Sequence, residues 1–461
     1  MTKFSTFLRP FAANSPWNSR PVNPVLGAWV IPACFKPRGT AYKCYPSIEG
    51  GAFSTGIYRA LPSELPRTIY AVAGSKGIFD SDADEWKPSI TIPHWPADAV
   101  GASGSDGHCD IIDEAAGVIH SFWILKRDAA GRFTARQYGW SPLKGSGWGD
   151  AAHYYQGARA TGVATCAGMI RKHEVADGKP LFEHALAMSL DQSGLAASPA
   201  FIPPATISDW NAASTNTGKI PQGALMMLPP GYDTARLTRW PLLKKVAETL
   251  KVYGARVVDR NEYTPYSIYV ENGAPWDMSP SVVGWDNGMA AELEYIRTQL
   301  RQVVSQDGWI AGEETISEPG IMSLRGPWLH EKTSALAPGL YDTLAQGLRF
   351  AANTELVSVA NTNGTGFRVQ NLKPKAGEYF KLSTNSDCGA RLKMIVYGQK
   401  PEGGAAANIV LVPTDGAPAY VKWPLGGWCA LVAWKFPGPA GVLQATLSKI
   451  TEAEYLAAPK G

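Results

Sequence analysis

Residues 109–125 read CDIIDEAAGVIHSFWIL. Apolar and β-branched residues fill both ends of this stretch, and the small, polar run DEAAG separates them. The pattern predicts two strands joined by a tight turn. The second, GVIHSFWIL, alternates only in part, so it is expected to be covered on both faces. Outward from here, RTIYAVAG (67–74), SITIPHW (89–95) and RFTARQYGW (132–140) are further short alternating runs between Gly- and Asp-rich turns. Strands at this spacing predict a mainly β chain with a jelly-roll-like β-sandwich body.

The chain has 461 residues, enough for two or three domains. Its 47 Gly and 35 Pro favour turns and short strands over long helices. Sixteen Trp are present. A Trp ring offers a flat apolar face and one N–H, which suits the C–H faces of sugars and equally the core of a sandwich. A net charge of +3 with 18% charged residues is too mild for a nucleic-acid footprint. The six cysteines form no C-x-x-C, and Cys34 and Cys44 would bridge a hairpin only under oxidising conditions. The opening MTKFSTFLRPFAANSPWN has no signal-peptide pattern, and no run of about 18 apolar residues occurs, so no membrane span is expected.

Two helices stand out. Residues 239–253 place Leu243, Val246, Ala247, Leu250 and Tyr253 on one face, with Thr238 as cap and Gly254 as stop. Residues 288–304 place Met289, Leu293, Ile296, Leu300 and Val303 or Val304 on one face, after Asp286 or Asn287. Two or three helices in all are expected. From about residue 340 the pattern changes to strands in series, from LVSVANTNGTGFRVQNL to LQATLSKI. The expected domains are a body over 1–335, opening with an extended arm, and a small C-terminal β-sandwich over 340–461.

Chemistry-bearing side chains concentrate between Asp106 and Leu190, which hold five of the seven histidines. SDGHCDIID puts His108 and Asp110 on one strand face, with Asp113 formally on the other. His108 is read as a base, with Asp110 or Asp113 to orient it. HYYQGARATG supplies His153, Tyr155 and Arg159, and FEHALAMSL supplies His184. An anionic sugar chain is cut by elimination when one group neutralises the carboxylate, a base takes the C5 proton and an acid protonates the leaving oxygen. Histidine, tyrosine and arginine fill those roles. Trp140, Trp148, Tyr154 and Arg171 are read as substrate-binding. Hydrolysis needs a carboxyl pair instead, for which Asp110, Asp113, Asp150 and Glu174 are available. No cofactor fingerprint and no metal motif is present, although His108, Asp110, Asp113 and His184 leave a divalent ion open.

PFAANSPWN, GHCDIID, GARATG, FEHALAMSL and LKVYGARVVD, in this order, resemble phage tail-fibre and tailspike-type polysaccharide depolymerases. They also resemble related secreted actinobacterial proteins with an S-P-W-N opening. The resemblance covers roughly residues 10–280 and places His108, Asp113, His184, Tyr253 and Asp259 on the pattern. The chain departs from it at Arg159, where an acidic residue is expected. The resemblance implies a polysaccharide substrate, cleaved by a lyase or a hydrolase or only bound. It implies a setting in a virion tail or outside the cell after lysis, and a homo-oligomer such as a trimer. The C-terminal strands look like a terminal tail-fibre sandwich, with the contact expected at Trp423, Trp428 and Trp434.

Overall fold

Alternation of apolar and polar residues dictates where strands form, and the chain follows it. The computed structural model describes residues 3–36, 42–150, 152–276, 287–310, 320–361, 373–399, 406–414 and 417–459. Among the described residues the protein is mainly β, with 38% strand, 10% helix and no closed barrel, in keeping with the expected β-sandwich body. It divides into two units: Met1–Ile78, Pro88–Gly149 and Tyr155–Ile316 form the first; Phe79–Lys87, Asp150–Tyr154 and Ser317–Gly461 form the second.

The first unit is layered. Its seven-stranded sheet runs Val25–Leu26, Arg301–Ser305, Leu225–Met227, Ala255–Asn261, Leu186–Asp191, Tyr266–Tyr269, Ser47–Glu49. Most pairs are antiparallel, but Leu186–Asp191 and Ala255–Asn261 run parallel. A parallel pair needs a crossover, and the helix Pro241–Val252 lies within it. That helix starts with Pro241 in its first turn, where a missing N–H costs nothing, and ends before Gly254 at φ 73°. Its Leu243, Val246 and Leu250 join Leu293 and Ile296 of the helix Asn287–Gln299 over Met188, Val257 and Ile268 of the sheet. The second helix ends at Gln299, short of the expected Val304. Arg301–Ser305 is a strand instead, because its β-branched Val303 and its neighbours pair with Leu225–Met227 and Val25–Leu26.

The other face of this sheet packs Ala187, Val258 and Tyr269 against Ile57, Ile112 and Ile119. These isoleucines belong to a second sheet, in which Gly56–Ala60, Cys109–Asp113, Val118–Trp123 and Gln137–Pro142 are neighbours. Its far face buries Ile111, Phe122 and Tyr138 against Ile69, Ile92 and Phe133. The last three come from a third sheet, Ser89–Ile92, Arg67–Ala71, Phe133–Ala135 and Lys126–Arg127. The Val118–Trp123 strand is therefore covered on both faces, which is why its sequence alternates so poorly. Truncating a residue such as Ile111 here would cost about 2–5 kcal/mol.

The second unit contains a sandwich of two five-stranded antiparallel sheets. One runs Leu329–His330, Val357–Asn361, Leu425–Lys435, Arg391–Gln399, Ala406–Leu411; the other runs Tyr341–Asp342, Gly347–Phe350, Gly441–Ile450, Tyr379–Ser386, Ala419–Lys422. Leu392, Met394 and Val396 alternate inward from a single strand. The expected boundary at 335–340 falls too late, because Met322, Leu324 and Trp328 are already buried in the sandwich core. Trp423, expected at the surface, is also in that core, whereas Trp428 is half exposed. The TNGTGFRVQNL part of the expected strand, 362–372, lies outside the described residues.

Candidate active site

Parallel strands deliver polar side chains together at their carboxyl ends. Here Leu186–Asp191 and Ala255–Asn261 bring Ser189 opposite Asp259, with a register shift just before Ser189. Asp191 is spent on the local turns, accepting from the Ser193 amide at 2.9 Å and the Tyr263 amide at 2.8 Å. Asn261 bonds Ser189 Oγ at 3.0 Å. Among the described residues, Asp259 accepts only from the amide of its own neighbour, Arg260, at 3.0 Å and, across the fold, faces Arg159.

The GARATG turn brings Arg159 to Asp259. The turn closes through Gly162 N to Arg159 O at 2.8 Å and Arg159 N to Val163 O at 3.2 Å. Two glycines make it possible. Gly162 sits at φ 75°, and a Cβ on Gly157 would come within 2.2 Å of the Ala164 nitrogen. Thr161 Oγ1 donates to Val258 O at 3.0 Å, docking the turn one residue before Asp259. Arg159 Nη1 then lies 3.4 Å from Asp259 Oδ2, and the guanidinium lies over the Tyr269 ring at 3.8 Å. Arg159 is 2% exposed, yet its Nε and Nη2 have no hydrogen-bond partner among the described residues. Tyr155 supports the turn, donating to Arg159 O at 3.3 Å and accepting from Gln137 at 2.9 Å.

Two more carboxylates act on Asp259. Burial drives its pKa up and Arg159 draws it down, but the charges of Asp209 and Asp106 push it further, to about 7. Its side chain keeps 20% of its surface open. Asp209 is set by Gln222, which donates to its carboxylate at 2.7 Å and accepts from its amide at 3.0 Å. Asp106 accepts from Trp123 Nε1 at 3.3 Å. Arg260 ties the loop after Asp209 to the same strand end, donating to Asn211 Oδ1 at 2.9 Å and Thr215 Oγ1 at 2.7 Å. Trp210, between Asp209 and Asn211, is 94% exposed.

His108 follows Asp106 by two residues. It is 4% exposed, and burial together with the Arg159 charge holds its pKa well below the usual histidine value. The ring is therefore neutral near pH 7, and its Nδ1 has no partner among the described residues. The site thus holds a neutral imidazole, a guanidinium with idle donors and three carboxyl groups. Such a set can donate and accept protons and can hold an anion.

The other nominated residues lie elsewhere. Asp110 accepts from Thr165 Oγ1 and the Cys166 amide, both at 2.6 Å, and Asp113 pairs with His94 Nδ1 at 2.6 Å. Both carboxylates are thus committed to groups other than His108. His184 Nδ1 donates to Ala185 O at 2.9 Å, and Nε2 meets Glu174 at 3.1 Å. Arg171 donates Nε to Glu271 and Nη1 to Phe7 O, both at 2.9 Å, and so clasps the N-terminal arm. A cavity of about 30 Å³, the size of one water, lies between this clasp, Arg9, Glu174 and His184. Trp148 stacks on Trp17 at 5.1 Å in the core, and Trp140 is buried under the third sheet, so neither offers a face to a sugar. His153 and Tyr154 belong to the second unit. There His153 Nε2 is 3.7 Å from Asp82 and Tyr154 lies under Arg325 at 4.4 Å. Asp106 and Asp209 were missed by sequence reasoning. Their only local signal is an acid beside glycine in DGH and an acid beside tryptophan in a polar loop. Among the described residues no group of three or more His, Cys, Asp or Glu is placed to hold a metal ion.

No family model matches the chain, and no curated protein matches it. Among solved structures, one titled "Crystal structure of accessory secretory protein 1,2 and 3 in Streptococcus pneumoniae" aligns at 13% identity. The alignment covers 30% of this chain and 100% of that one with a TM-score of 0.17, too slight a likeness to bear on fold or function.

Proposed function

We propose that this protein is a depolymerase of a bacterial surface or extracellular polysaccharide, acting by acid–base chemistry at the Asp259 strand end. The observation that carries the reading is that Asp259 sits at one strand end under the charges of both Asp106 and Asp209, the latter followed in the chain by the protruding Trp210. Asp259 keeps its proton close to neutrality and is the acid for the leaving glycosidic oxygen. Asp209, held on both sides by Gln222, is the base or nucleophile, and Trp210 stacks on a sugar ring. A second reading, elimination, is favoured by the neutral His108 ring with its idle Nδ1, which can take a C5 proton beside Arg159. The setting in keeping with either reading is a phage tail or a protein released on lysis. The protein is then a homo-oligomer such as a trimer, with the half-exposed Trp428 at the contact.

Incubation with purified capsule or exopolysaccharide separates the possibilities. New reducing ends without ultraviolet absorbance indicate hydrolysis, and new absorbance from an unsaturated sugar indicates elimination. Tight binding with no change in chain length would replace the enzyme by a glycan-binding tail-fibre protein.

A further inference from the structure

We propose that Arg159 reads a carboxylate on the substrate, so that the polymer bound here contains a uronate or a similar carboxylate-bearing sugar. This rests on the depolymerase reading for the polymer, but the carboxylate site itself stands on geometry. A guanidinium presents its five N–H groups along fixed edges. Nη1 is turned to Asp259 at 3.4 Å. The idle pair, Nε and Nη2, share the opposite edge, where their two N–H bonds run side by side. That edge matches the two oxygens of one carboxylate, the bidentate arrangement for which arginine is suited and lysine is not.

Three features make this a built site. The plane of the fork is held by the Tyr269 ring at 3.8 Å on one side and by Asp259 at its end, so little ordering is left to the moment of binding. Both idle donors belong to a side chain that is 98% buried, and buried donors without partners are rare in folded proteins. A third idle polar atom, His108 Nδ1, belongs to a buried ring close enough to feel the Arg159 charge. Asp259, at the Nη1 end of the guanidinium, keeps 20% of its side-chain surface open. A neutral sugar offers this edge only uncharged hydroxyl oxygens, without the paired, charged oxygens of a carboxylate.

The test has two arms. In the first, the intact protein is titrated with D-glucuronate and with D-glucose and followed by NMR and calorimetry. Glucuronate is expected to saturate a single site and glucose to leave it empty at the same concentrations. Arg159→Lys, which keeps the charge but loses the fork, should weaken glucuronate at least about tenfold, and Arg159→Gln should abolish binding. Thermal melts show which variants are folded; where Arg159→Gln is not, the lysine variant decides. In the second arm, an acidic polysaccharide is compared with its carboxyl-reduced form. The wild type should prefer the acidic form by about 100-fold or more in kcat/KM, and Arg159→Lys should shrink that preference. Equal cleavage of the two polymers, or glucuronate binding that survives Arg159→Gln, would overturn the proposal and leave Arg159 as a structural partner of Asp259. Arg159-dependent binding of glucuronate with no polymer cut would uphold the carboxylate site and remove the depolymerase reading.

Discussion

Arg171 and Arg159 are buried in the same unit, each over an aromatic ring and each facing a carboxylate. Arg171 is 2.9 Å from Glu271, and a second donor reaches the Phe7 carbonyl, so the arginine ties the N-terminal arm to the body. Beside it, Glu174 and His184 form a further pair at 3.1 Å. Arg159 sits a longer 3.4 Å from Asp259, has two donors without a partner among the described residues, and has two more acids pressing on its own partner. The same residue types make a finished clasp in one place and an unfinished site in the other. Stability is spent where charge is buried without full compensation, and such spending is expected at functional sites.

The largest effect expected from breaking this contrast is at Asp259. Asp259→Asn should lower turnover by about 10²–10⁴-fold while the protein stays folded. It should also reveal the cost of the site. The folded carboxyl holds its proton up to about 7 and the unfolded one only to 3.8, so its contribution to stability is lost as pH rises through that window. Asparagine removes the loss, and the variant is expected to melt above the wild type at pH 8, with the gap closing towards pH 4. A variant that melts lower at pH 8 would put Asp259 in the same class as Glu271.

Next in size is the clasp. Arg171→Met leaves the buried Glu271 with only the amide and the half-exposed ammonium of Lys172, and should cost up to about 3–5 kcal/mol in denaturant titrations. Turnover per folded molecule should not change, and a loss of activity at full folding would tie the arm to the site. Glu174→Gln should cost less, about 1–3 kcal/mol at pH 7. Its sign is opposite to that of Asp259. Although burial pushes Glu174 up, His184 and the Arg171 amide bring it down to about 2 from 4.5, so its stabilisation is present above 4.5 and lost as pH falls towards 2. Wild type and variant should therefore converge in acid.

The smallest effects concern tryptophan. Trp210→Ala should change stability by no more than about 0.5 kcal/mol and raise KM several-fold, whereas Trp148→Ala should cost about 3–5 kcal/mol. Melting curves for both, with KM for the first, would show whether exposure separates the two roles.

Much of the fold was legible because periodicity is local. The alternation in Arg391–Gln399 and the helical stripe in Pro241–Val252 follow from backbone geometry alone. The continuation of the second helix to Val304 was wrong for a non-local reason, since Val303 and Val304 form a strand only because partner strands lie alongside. The candidate site was legible in part. His108, Tyr155 and Arg159 were singled out by residue type, and Asp259 by the order of motifs. Tyr253, on the same pattern, closes a helix end instead.

The sequence by itself determined the mainly β class, the C-terminal sandwich, the two long helices and the stretch in which reactive side chains concentrate, because these depend on neighbours along the chain. Only the tertiary structure decided which of those side chains meet. Arg159 reaches Asp259 across 100 residues because a parallel strand pair ends there and a glycine turn docks on it. It also decided which tryptophans are core and which acids act on one another. Burial and Coulomb interaction depend on distance in space, and sequence separation does not encode that distance.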